Sequence, residues 1–347
     1  MKNIDESVLK SAISLIQENQ NIVIIPHHNP DGDALGSSFG LRLVLQNLGK
    51  NARVIAPNDY PEFLHWLPGS QEAVIWFRQR KTAIRAIEKA DLLIFLDFND
   101  LDRVENMKET IEATNVPKLM IDHHPYPKEI ADVIISDTAA SSTSELVTHF
   151  IKWAGFTDKI NKKVASCLLT GIITDTGSFS YNSSHPETYE ALSLLLETGV
   201  NKDKIYDNVY NNYSFQRMQL MGFALNERMK YIPKYNTAYI YLTKEDLKTY
   251  NFRPGDSEGF VNLPLSIKGV VFAAFFMEKD DKIKMSLRSK FSFPANKVAS
   301  DYFNGGGHLN AAGGHSNLSM DEAIKQFESV LKEYKPDFDN LMRTGLV

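Results

Sequence analysis

The chain reads IVIIPHHNPDGD at residues 22–33, where an apolar run is followed at once by His27, Asp31 and Asp33. Residues 118–125, KLMIDHHP, repeat this order. Short apolar runs of this kind predict buried parallel strands, and open α/β sheets bind ligands at the carboxyl ends of their strands. Carboxylates and imidazoles without a thiolate suit a divalent ion such as manganese. The two stretches therefore predict an α/β fold with a metal site at one edge of its sheet.

Length and composition predict a soluble protein of two domains. The 347 residues exceed one average domain, and the hydrophobic (43%) and charged (23%) fractions are ordinary. A net charge of −5 gives no overall attraction to nucleic acid or anionic membranes. The single cysteine, Cys167, fits a reducing cytoplasm and lies in an apolar run that predicts a buried thiol. Neither a signal peptide nor an apolar stretch of about 20 residues is found, so we expect a cytoplasmic protein without membrane contact.

The pattern of predicted strands and helices changes at about residue 199. Up to residue 199, strand-like and helix-like segments alternate, which predicts a parallel sheet with helices on both faces. Beyond it we predict three strands, a hairpin turn, a glycine-rich loop and a closing helix. The strands are Thr237–Leu242, Gly269–Glu278 and Lys282–Ser289. The turn is Asp280–Asp281, the loop is residues 304–314, and the helix is Met320–Tyr334. The predicted domains are residues 1–199 and 229–340, with a linker helix region at residues 200–228.

Two further acids follow apolar runs. Asp97 comes directly after Leu92–Leu96, and Asp175 follows a Gly-Ile-Ile-Thr stretch. A lone acid in such a place is commonly a cap or turn residue, and Asp33 in particular could cap the helix that begins there. Four separate clusters of this kind are nevertheless unlikely to arise by coincidence. We therefore expect these acids to meet the histidines at one site.

The number of candidate ligands predicts two metal ions. Two divalent ions about 3.5–4 Å apart need a bridging carboxylate and two or three further ligands each. The candidates are His27, Asp31, Asp33, Asp97, His123 and Asp175. For His28 we instead expect a hydrogen bond within its own turn.

These motifs, in this order, resemble those of the DHH phosphoesterases. The resemblance rests on the two clusters above, on Asp97, and on Asp175 within Thr-Asp-Thr-Gly. Near the C-terminus, Gly-Gly-Gly-His at residues 305–308 and Ala-Ala-Gly-Gly at residues 311–314 resemble the family's DHH-associated domain. The resemblance covers nearly the whole chain. Length and layout are most similar to the bacterial oligoribonuclease/pAp-phosphatase (NrnA-type) group.

The resemblance implies a fold, and it implies which residues would bind each of the two metal ions. It implies a parallel-sheet catalytic domain and a smaller α/β domain with a mixed sheet, with the active site in the cleft between them. One metal ion, expected to be manganese, would bind His27 and Asp31. A second would bind Asp33, His123 and Asp175, and Asp97 would bridge the two. His124 would face the substrate and aid proton transfer, while Asp122 would orient a histidine.

The resemblance also implies substrate-binding residues. Arg288 and His308 would bind a terminal phosphate and the nucleotide. Gly305, Gly306 and Gly307 would offer successive backbone amides as an anion-binding nest, although a glycine run alone is more often a flexible loop. Asn99 and Arg103 match positions that contact phosphate in the family. The sequence from Asp97 onward nevertheless departs from the Asp-Thr-Ala-Asn that is usual in the family. For both arginines the alternative is an exposed surface charge.

The expected activity is hydrolysis of short linear oligonucleotides, or of the 3′-phosphate of pAp, by two-metal activation of water. A cyclic di-AMP phosphodiesterase and a non-catalytic nucleotide sensor are the alternatives; a sensor would be expected to lack a ligand, and none of the six is missing. The family's pyrophosphatases have a C-terminal half without Gly-Gly-Gly-His. Short nucleotides are the expected partners, without long duplex nucleic acid, and the oligomeric state stays open, with a homodimer as one option.

Overall fold

The computed structural model describes residues 4–279 and 281–343. The chain divides into two compact units after Asn212, a position inside the predicted linker region at residues 200–228. Residues up to Asn212 are called unit 1 below, and residues from Tyr213 onward are called unit 2. Each unit has its own six-stranded sheet and its own apolar cores.

Unit 1 is built on a parallel sheet, as predicted. Its strands are β1 (Asn21–Pro26), β2 (Asn51–Ala56), β3 (Val74–Ile75), β4 (Leu92–Leu96), β5 (Lys118–Asp122) and β6 (Val133–Ser136). The spatial order is β3-β2-β1-β4-β5-β6, and every neighbouring pair is parallel. The carboxyl ends of β1, β4 and β5 therefore lie side by side at one edge of the sheet.

Helices cover both faces of this sheet. They are α1 (Glu6–Glu18), α2 (Gly32–Asn47), α3 (Trp76–Glu88), α4 (Lys108–Glu112), α5 (Thr143–Trp153), α6 (Lys162–Asp175), α7 (Pro186–Leu196) and α8 (Lys202–Tyr210). Alternate residues of β1 belong to different cores: Ile22 and Ile24 pack with α2, α5 and α6, whereas Val23 and Ile25 pack with α3. Burial on both faces explains why the strands appear in the sequence as uninterrupted apolar runs.

Helices α2 and α6 of unit 1 pack closely against each other. Gly32, Gly36 and Gly40 recur every four residues on α2 and face α6. A Cβ atom built on Gly36 would lie 2.6 Å from the carbonyl oxygen of Cys167. Cys167 is buried at this contact, as predicted. The glycine face therefore allows the N-terminus of α2 and the C-terminus of α6 to approach each other at the sheet edge.

Unit 2 carries the predicted mixed sheet. Its strands are β7 (Met229–Ile232), β8 (Thr237–Leu242), β9 (Phe272–Glu278), β10 (Ile283–Ser289), β11 (Gly306–His308) and β12 (Ala311–Ser316). Their order is β11-β12-β10-β9-β8-β7, with β8 and β9 parallel and the other pairs antiparallel. The helices are α9 (Phe215–Glu227), α10 (Lys244–Thr249), α11 (Ala295–Tyr302), α12 (Met320–Glu333) and α13 (Lys335–Arg343).

One element prediction was wrong in unit 2. The glycine-rich segment at residues 304–314 is not a loop: β11 and most of β12 lie in it and pair as an antiparallel hairpin. The alanines and glycines bring the strands close together, since a Cβ on Gly305 would lie 1.9 Å from the carbonyl oxygen of Gly313. Asp280, half of the predicted turn pair, lies outside the described residues. None of the described helices combines the length and apolar character needed to cross a membrane.

The α2–α6 contact leads to a stability prediction. The Gly36→Ala substitution should destabilise the protein by about 1–3 kcal/mol, because the added methyl group meets backbone atoms that cannot move aside. Gly222→Ala in α9 is the matched control, since a Cβ there has no described heavy atom within 4 Å. Removing a helical glycine at an open position should stabilise by up to about 1 kcal/mol. Thermal unfolding followed by circular dichroism measures both, and equal midpoints for the two variants would contradict this account of the packing.

Candidate metal centre

Strand register brings the predicted site residues together. Pro26 of β1 pairs with Leu96 of β4, and Leu96 pairs with Ile121 of β5. The residues that follow these three therefore emerge level with one another at the carboxyl edge of the sheet. Those residues are His27, Asp97 and Asp122, and His123 comes directly after. The folding of three apolar runs into adjacent strands thus accounts for most of the cluster.

The first cluster consists of His27, Asp31 and Asp97, and is called the His27 group below. The Nε2 atom of His27 lies 3.5 Å from Oδ2 of Asp97 and 3.9 Å from Oδ2 of Asp31. Its other nitrogen, Nδ1, is 2.8 Å from the carbonyl oxygen of His28. A proton on Nδ1 donated to that carbonyl leaves the Nε2 lone pair directed at the carboxylates, as in histidines that bind metals. Burial, with a minor contribution from the Arg103 charge, lowers the pKa of His27 and favours this neutral form.

The second cluster consists of Asp33, His123 and Asp175, and is called the His123 group below. The Nε2 atom of His123 lies 3.6 Å from Oδ2 of Asp175 and 4.0 Å from Oδ2 of Asp33. Asp175 is the last residue of helix α6, at the end of the apolar run that it follows in the sequence. It reaches the site because α6 packs closely on α2, whose first turn carries Asp33.

Asp97 lies between the two groups. Its Oδ2 atom faces His27, and its Oδ1 atom lies 3.6 Å from Nε2 of His123. The residue is buried and has a φ of 67°, in the left-handed region that a side chain other than glycine adopts at some energetic expense. Asp97 thus combines an unfavourable backbone conformation with a side chain that directs one carboxylate oxygen at each group.

The electrostatics of the cluster favour a bound cation. Burial, followed by repulsion from Asp33, Asp31, Asp122 and Asp175, raises the pKa of Asp97 well above its ordinary value. Burial also raises the pKa of Asp33. Hard carboxylate oxygens and borderline imidazole nitrogens are a donor set that suits divalent ions such as manganese. The residues present therefore fit a metal centre in both chemistry and charge.

Asp31 and Asp33 have different local roles. Asp31 is the N-cap of α2, because its Oδ1 accepts the backbone amides of Asp33 and Ala34 at 3.0 and 3.1 Å. The alternative in which Asp33 caps this helix is therefore wrong. The Asp33 carboxylate instead accepts the backbone amides of Thr143 and Ser144, at the start of α5, at 2.7 and 2.8 Å.

The sequence did not single out Thr143 or Ser144. The Thr143 hydroxyl also donates to Oδ1 of Asp97 at 2.9 Å, so α5 begins within the cluster. The run Ser141–Ser142–Thr143–Ser144 before an apolar helix is a helix-start signal, and Ser142 does cap α5. That signal places the helix correctly but does not indicate which distant acids its first turn contacts.

Asp122 and His124 form a hydrogen-bonded pair beside Asp97. Oδ1 of Asp122 lies 2.7 Å from Nδ1 of His124. Asp122 is fully buried, and within the described residues its Oδ2 atom has no hydrogen-bond partner. Burial raises the pKa of this carboxyl, but the contacts with His124 and His123 outweigh burial and lower it. An ionised Asp122 can therefore hold the His124 ring in one orientation.

The remaining predicted residues lie around the strand ends. His28 has its Nδ1 atom 2.9 Å from Nδ2 of Asn29, which agrees with the expected hydrogen bond within its turn. The Asn99 amide donates to the carbonyl of Pro125 at 2.6 Å and so ties its loop to the Asp-His-His-Pro segment. Arg103 is exposed, and its carbonyl accepts the backbone amide of His28 at 2.7 Å.

Four of the five predicted residues of unit 2 lie on the β10 and β11 strands, and Gly305 directly precedes β11. Arg288 is in β10, and its Nη1 donates to the carbonyl of Leu287 at 2.9 Å. His308 is the last residue of β11. The predicted nest of amides takes an extended form here, and the Gly305 amide already donates to the carbonyl of Ala299 at 3.1 Å. Gly306 and Gly307 belong to β11, which is an edge strand of its sheet.

The buried negative charge leads to a prediction for metal-free protein. Because the pKa of Asp97 is raised in the folded state, folded protein binds its proton more tightly than unfolded protein does, and stability falls as pH rises above the ordinary carboxyl pKa. In chelator, Asp97→Asn should therefore melt at a higher temperature than wild type, by a margin that grows toward neutral pH. Added manganese should raise the melting temperature of wild type much more than that of the variant.

The exposed Asp203 supplies the control for this measurement. Its asparagine variant should show the wild-type melting temperature and the wild-type response to manganese. If Asp97→Asn melts lower than wild type in chelator at neutral pH, the charge argument fails.

Comparison with known proteins places this cluster in a family. An exopolyphosphatase-related protein from Bacteroides fragilis has a solved structure that superimposes with a TM-score of 0.94 at 45% identity, over 98% of this chain and 99% of that one. The bifunctional oligoribonuclease and PAP phosphatase NrnA of Thermus thermophilus is 30% identical over 90% of this chain and 89% of its own length. The cyclic-di-AMP phosphodiesterase GdpP of Bacillus subtilis is 27% identical over 92% of this chain but 49% of its own length.

Two domain families match the two units. Residues 21–172 match the N-terminal domain of the DHH family, and residues 235–333 match the DHHA1 domain. The first match contains five of the six candidate metal ligands, all but Asp175, and the second contains Arg288 and the Gly-Gly-Gly-His segment. The chain therefore belongs to the DHH family of phosphoesterases, with relatives of the NrnA type.

Proposed function

We propose that this protein is a manganese-dependent phosphoesterase that hydrolyses short linear oligonucleotides such as pApA, removes the 3′-phosphate of pAp, or does both. The observation that carries the proposal is the arrangement of two acid–histidine groups around one carboxylate, that of Asp97. The NrnA-type relatives support the choice of substrate, because this chain matches one of them over most of its length.

The two groups would each hold one divalent ion. His27 and Asp31 would bind the first, and Asp33, His123 and Asp175 would bind the second, with one oxygen of Asp97 directed to each. Ions bound there would lower the pKa of a water molecule and offset negative charge on the phosphoryl oxygens. Each of these histidines would bind an ion through Nε2, because its Nδ1 atom faces a backbone carbonyl, that of His28 for His27 and that of Ala140 for His123.

His124 would handle a proton during hydrolysis. With its Nδ1 proton donated to the carboxylate of Asp122 at 2.7 Å, its Nε2 atom would accept a proton from the attacking water and then donate it to the leaving oxygen. The negative charge of Asp122 would stabilise the imidazolium form after the ring gains that proton. Asp122 thus acts through His124 and need not touch the substrate.

Residues of unit 2 would recognise the phosphate that is not cleaved. We propose that Arg288 binds it with two parallel hydrogen bonds from its planar guanidinium group. His308 and the β11 glycines would contact the nucleotide, and Asn99 and Arg103 of unit 1 would approach the cleaved phosphate. Binding of a second phosphate would favour short substrates with a terminal phosphate over long polymers.

Cyclic di-AMP is the second candidate substrate. The similarity to GdpP, a cyclic-di-AMP phosphodiesterase, favours it, and the match spans nearly all of this chain. The substitution of a cyclic for a linear dinucleotide removes the terminal phosphate that Arg288 would bind. Direct comparison of the two substrates therefore separates the candidates.

An activity panel in manganese tests the proposal. Purified protein is assayed with pAp, pApA, cyclic di-AMP, RNA of two to five nucleotides, and pyrophosphate. We expect pAp or pApA to give the highest kcat/KM, and His123→Ala to lose at least about 100-fold of it through loss of a metal ligand. Preferred hydrolysis of cyclic di-AMP or pyrophosphate would replace the proposed substrate, and binding without turnover of any compound would indicate a sensor.

Arg288→Ala tests the binding of the second phosphate. We expect kcat/KM for pApA to fall about 10- to 100-fold, the size of a lost charge-assisted hydrogen bond. Hydrolysis of bis-p-nitrophenyl phosphate, which lacks a second phosphate, should change little. Arg253→Ala is the control, because Arg253 is also in unit 2 and its exposed side chain makes no ion pair within residues 4–279 and 281–343. Equal losses on both substrates would show that Arg288 does not recognise the second phosphate.

A further inference from the structure

Thr143 contacts two carboxylates that belong to different metal groups. Its backbone amide donates to Oδ2 of Asp33 at 2.7 Å, and its hydroxyl donates to Oδ1 of Asp97 at 2.9 Å. We propose that Thr143 is a positioning residue that sets the spacing between Asp33 and Asp97, and with it the spacing of two bound ions. This inference rests on the proposed function, since it concerns how the same centre is assembled.

The hydroxyl contact is the important one for Asp97. Among the described residues, it is the one hydrogen bond that the Asp97 carboxylate accepts. The histidine nitrogens lie 3.5–3.7 Å from its oxygens, beyond good hydrogen-bond length. The carboxylate therefore depends on Thr143 for its orientation. Donation to one lone pair of Oδ1 still leaves acceptor capacity on both oxygens for the two groups.

Asp33 is held by the same helix start through the backbone. The amides of Thr143 and Ser144 each donate to a different oxygen of its carboxylate. These amides belong to the first turn of α5, where unsatisfied N–H groups and the helix dipole favour a negative charge. Because a substitution at Thr143 leaves these amides in place, Asp33 should keep its position when the hydroxyl is removed.

The start of α5, which carries Thr143, is held by buried hydrogen bonds of its neighbours. Glu145, buried in the next positions of α5, accepts the amide and hydroxyl of Ser141 at 3.0 and 2.5 Å and the hydroxyl of Thr188 at 2.8 Å. Thr143 is fully buried, and Ser142 caps the helix by accepting the amide of Glu145. A buried side chain on a helix start held in this way can set the position of the carboxylate that it contacts.

Three variants test the proposal in the 347-residue protein loaded with manganese. Thr143→Val replaces the hydroxyl by a methyl group of similar size, and Thr143→Ser keeps the hydroxyl. Thr148→Val is the matched control, since Thr148 is a buried threonine of the same helix whose hydroxyl donates to the carbonyl of Ser144 at 2.7 Å and not to a carboxylate.

The measurements are manganese stoichiometry by calorimetry, the electron paramagnetic resonance signal of coupled manganese pairs, and kcat and KM for pApA. For Thr143→Val we expect affinity for one of the two ions to fall about 10- to 100-fold, with weakening of the coupled signal. We expect kcat to fall with little change in KM. Thr143→Ser and Thr148→Val should match wild type in all three measurements.

Each outcome decides a different question. If wild type binds two ions and Thr143→Val does the same with an unchanged kcat, the positioning role is refuted and the proposed function stands. A Thr143→Ser variant that loses the ion as the valine variant does would also refute it, because the hydroxyl would not be the determinant. If wild type neither binds manganese nor hydrolyses any phosphoester, the proposed function fails. Should Thr143→Val not fold by circular dichroism, Thr143→Ala, which cannot overpack the site, takes its place.

Discussion

The constraint on which the site depends is the crowding of buried carboxylates at one edge of a parallel sheet. Two like unit charges about 4 Å apart repel by about 4 kcal/mol at an effective dielectric constant near 20. Asp33, Asp97 and Asp122 are buried within such a crowd, and Asp31 and Asp175 adjoin it. Imidazoles and backbone amides offset only part of this charge. The folded protein therefore retains repulsion among these carboxylates that its own groups do not offset. A divalent cation can relieve this repulsion, so the arrangement of the strands favours metal binding.

The architecture concentrates these groups by two separate means. Adjacent parallel strands place His27, Asp97 and Asp122 level with one another, with His123 directly after Asp122, because their apolar runs are in register. The helices contribute Asp33 and Asp175, which meet because glycines on α2 allow close contact with α6. The positions of the strand residues depend on strand order, and the positions of the helix residues depend on small side chains at the α2–α6 contact. Both sheet topology and helix packing are therefore needed to assemble the cluster.

Much of the fold and of the candidate site could be predicted from the sequence alone, for a physical reason. Strands buried on both faces appear as uninterrupted apolar runs, so β4 was predicted with its observed bounds and the acid after it was recognised as unusual. Two features could not be predicted. The hairpin of β11 and β12 lacks the β-branched pattern that marks strands, since its residues are small to allow close pairing. The contacts of Thr143 join positions far apart in the chain, and no local pattern reports them.

The left-handed backbone of Asp97 has a consequence for how this position can vary. Glycine, asparagine and aspartate adopt a positive φ with least strain, so the local chain geometry already narrows the choice to a few residue types. Of these, only aspartate presents two anionic oxygens. Backbone shape and ligand chemistry are independent demands, yet both are met by a single amino acid. Glutamate would keep the charge but not the fold of the turn, and asparagine would keep the turn but not the charge.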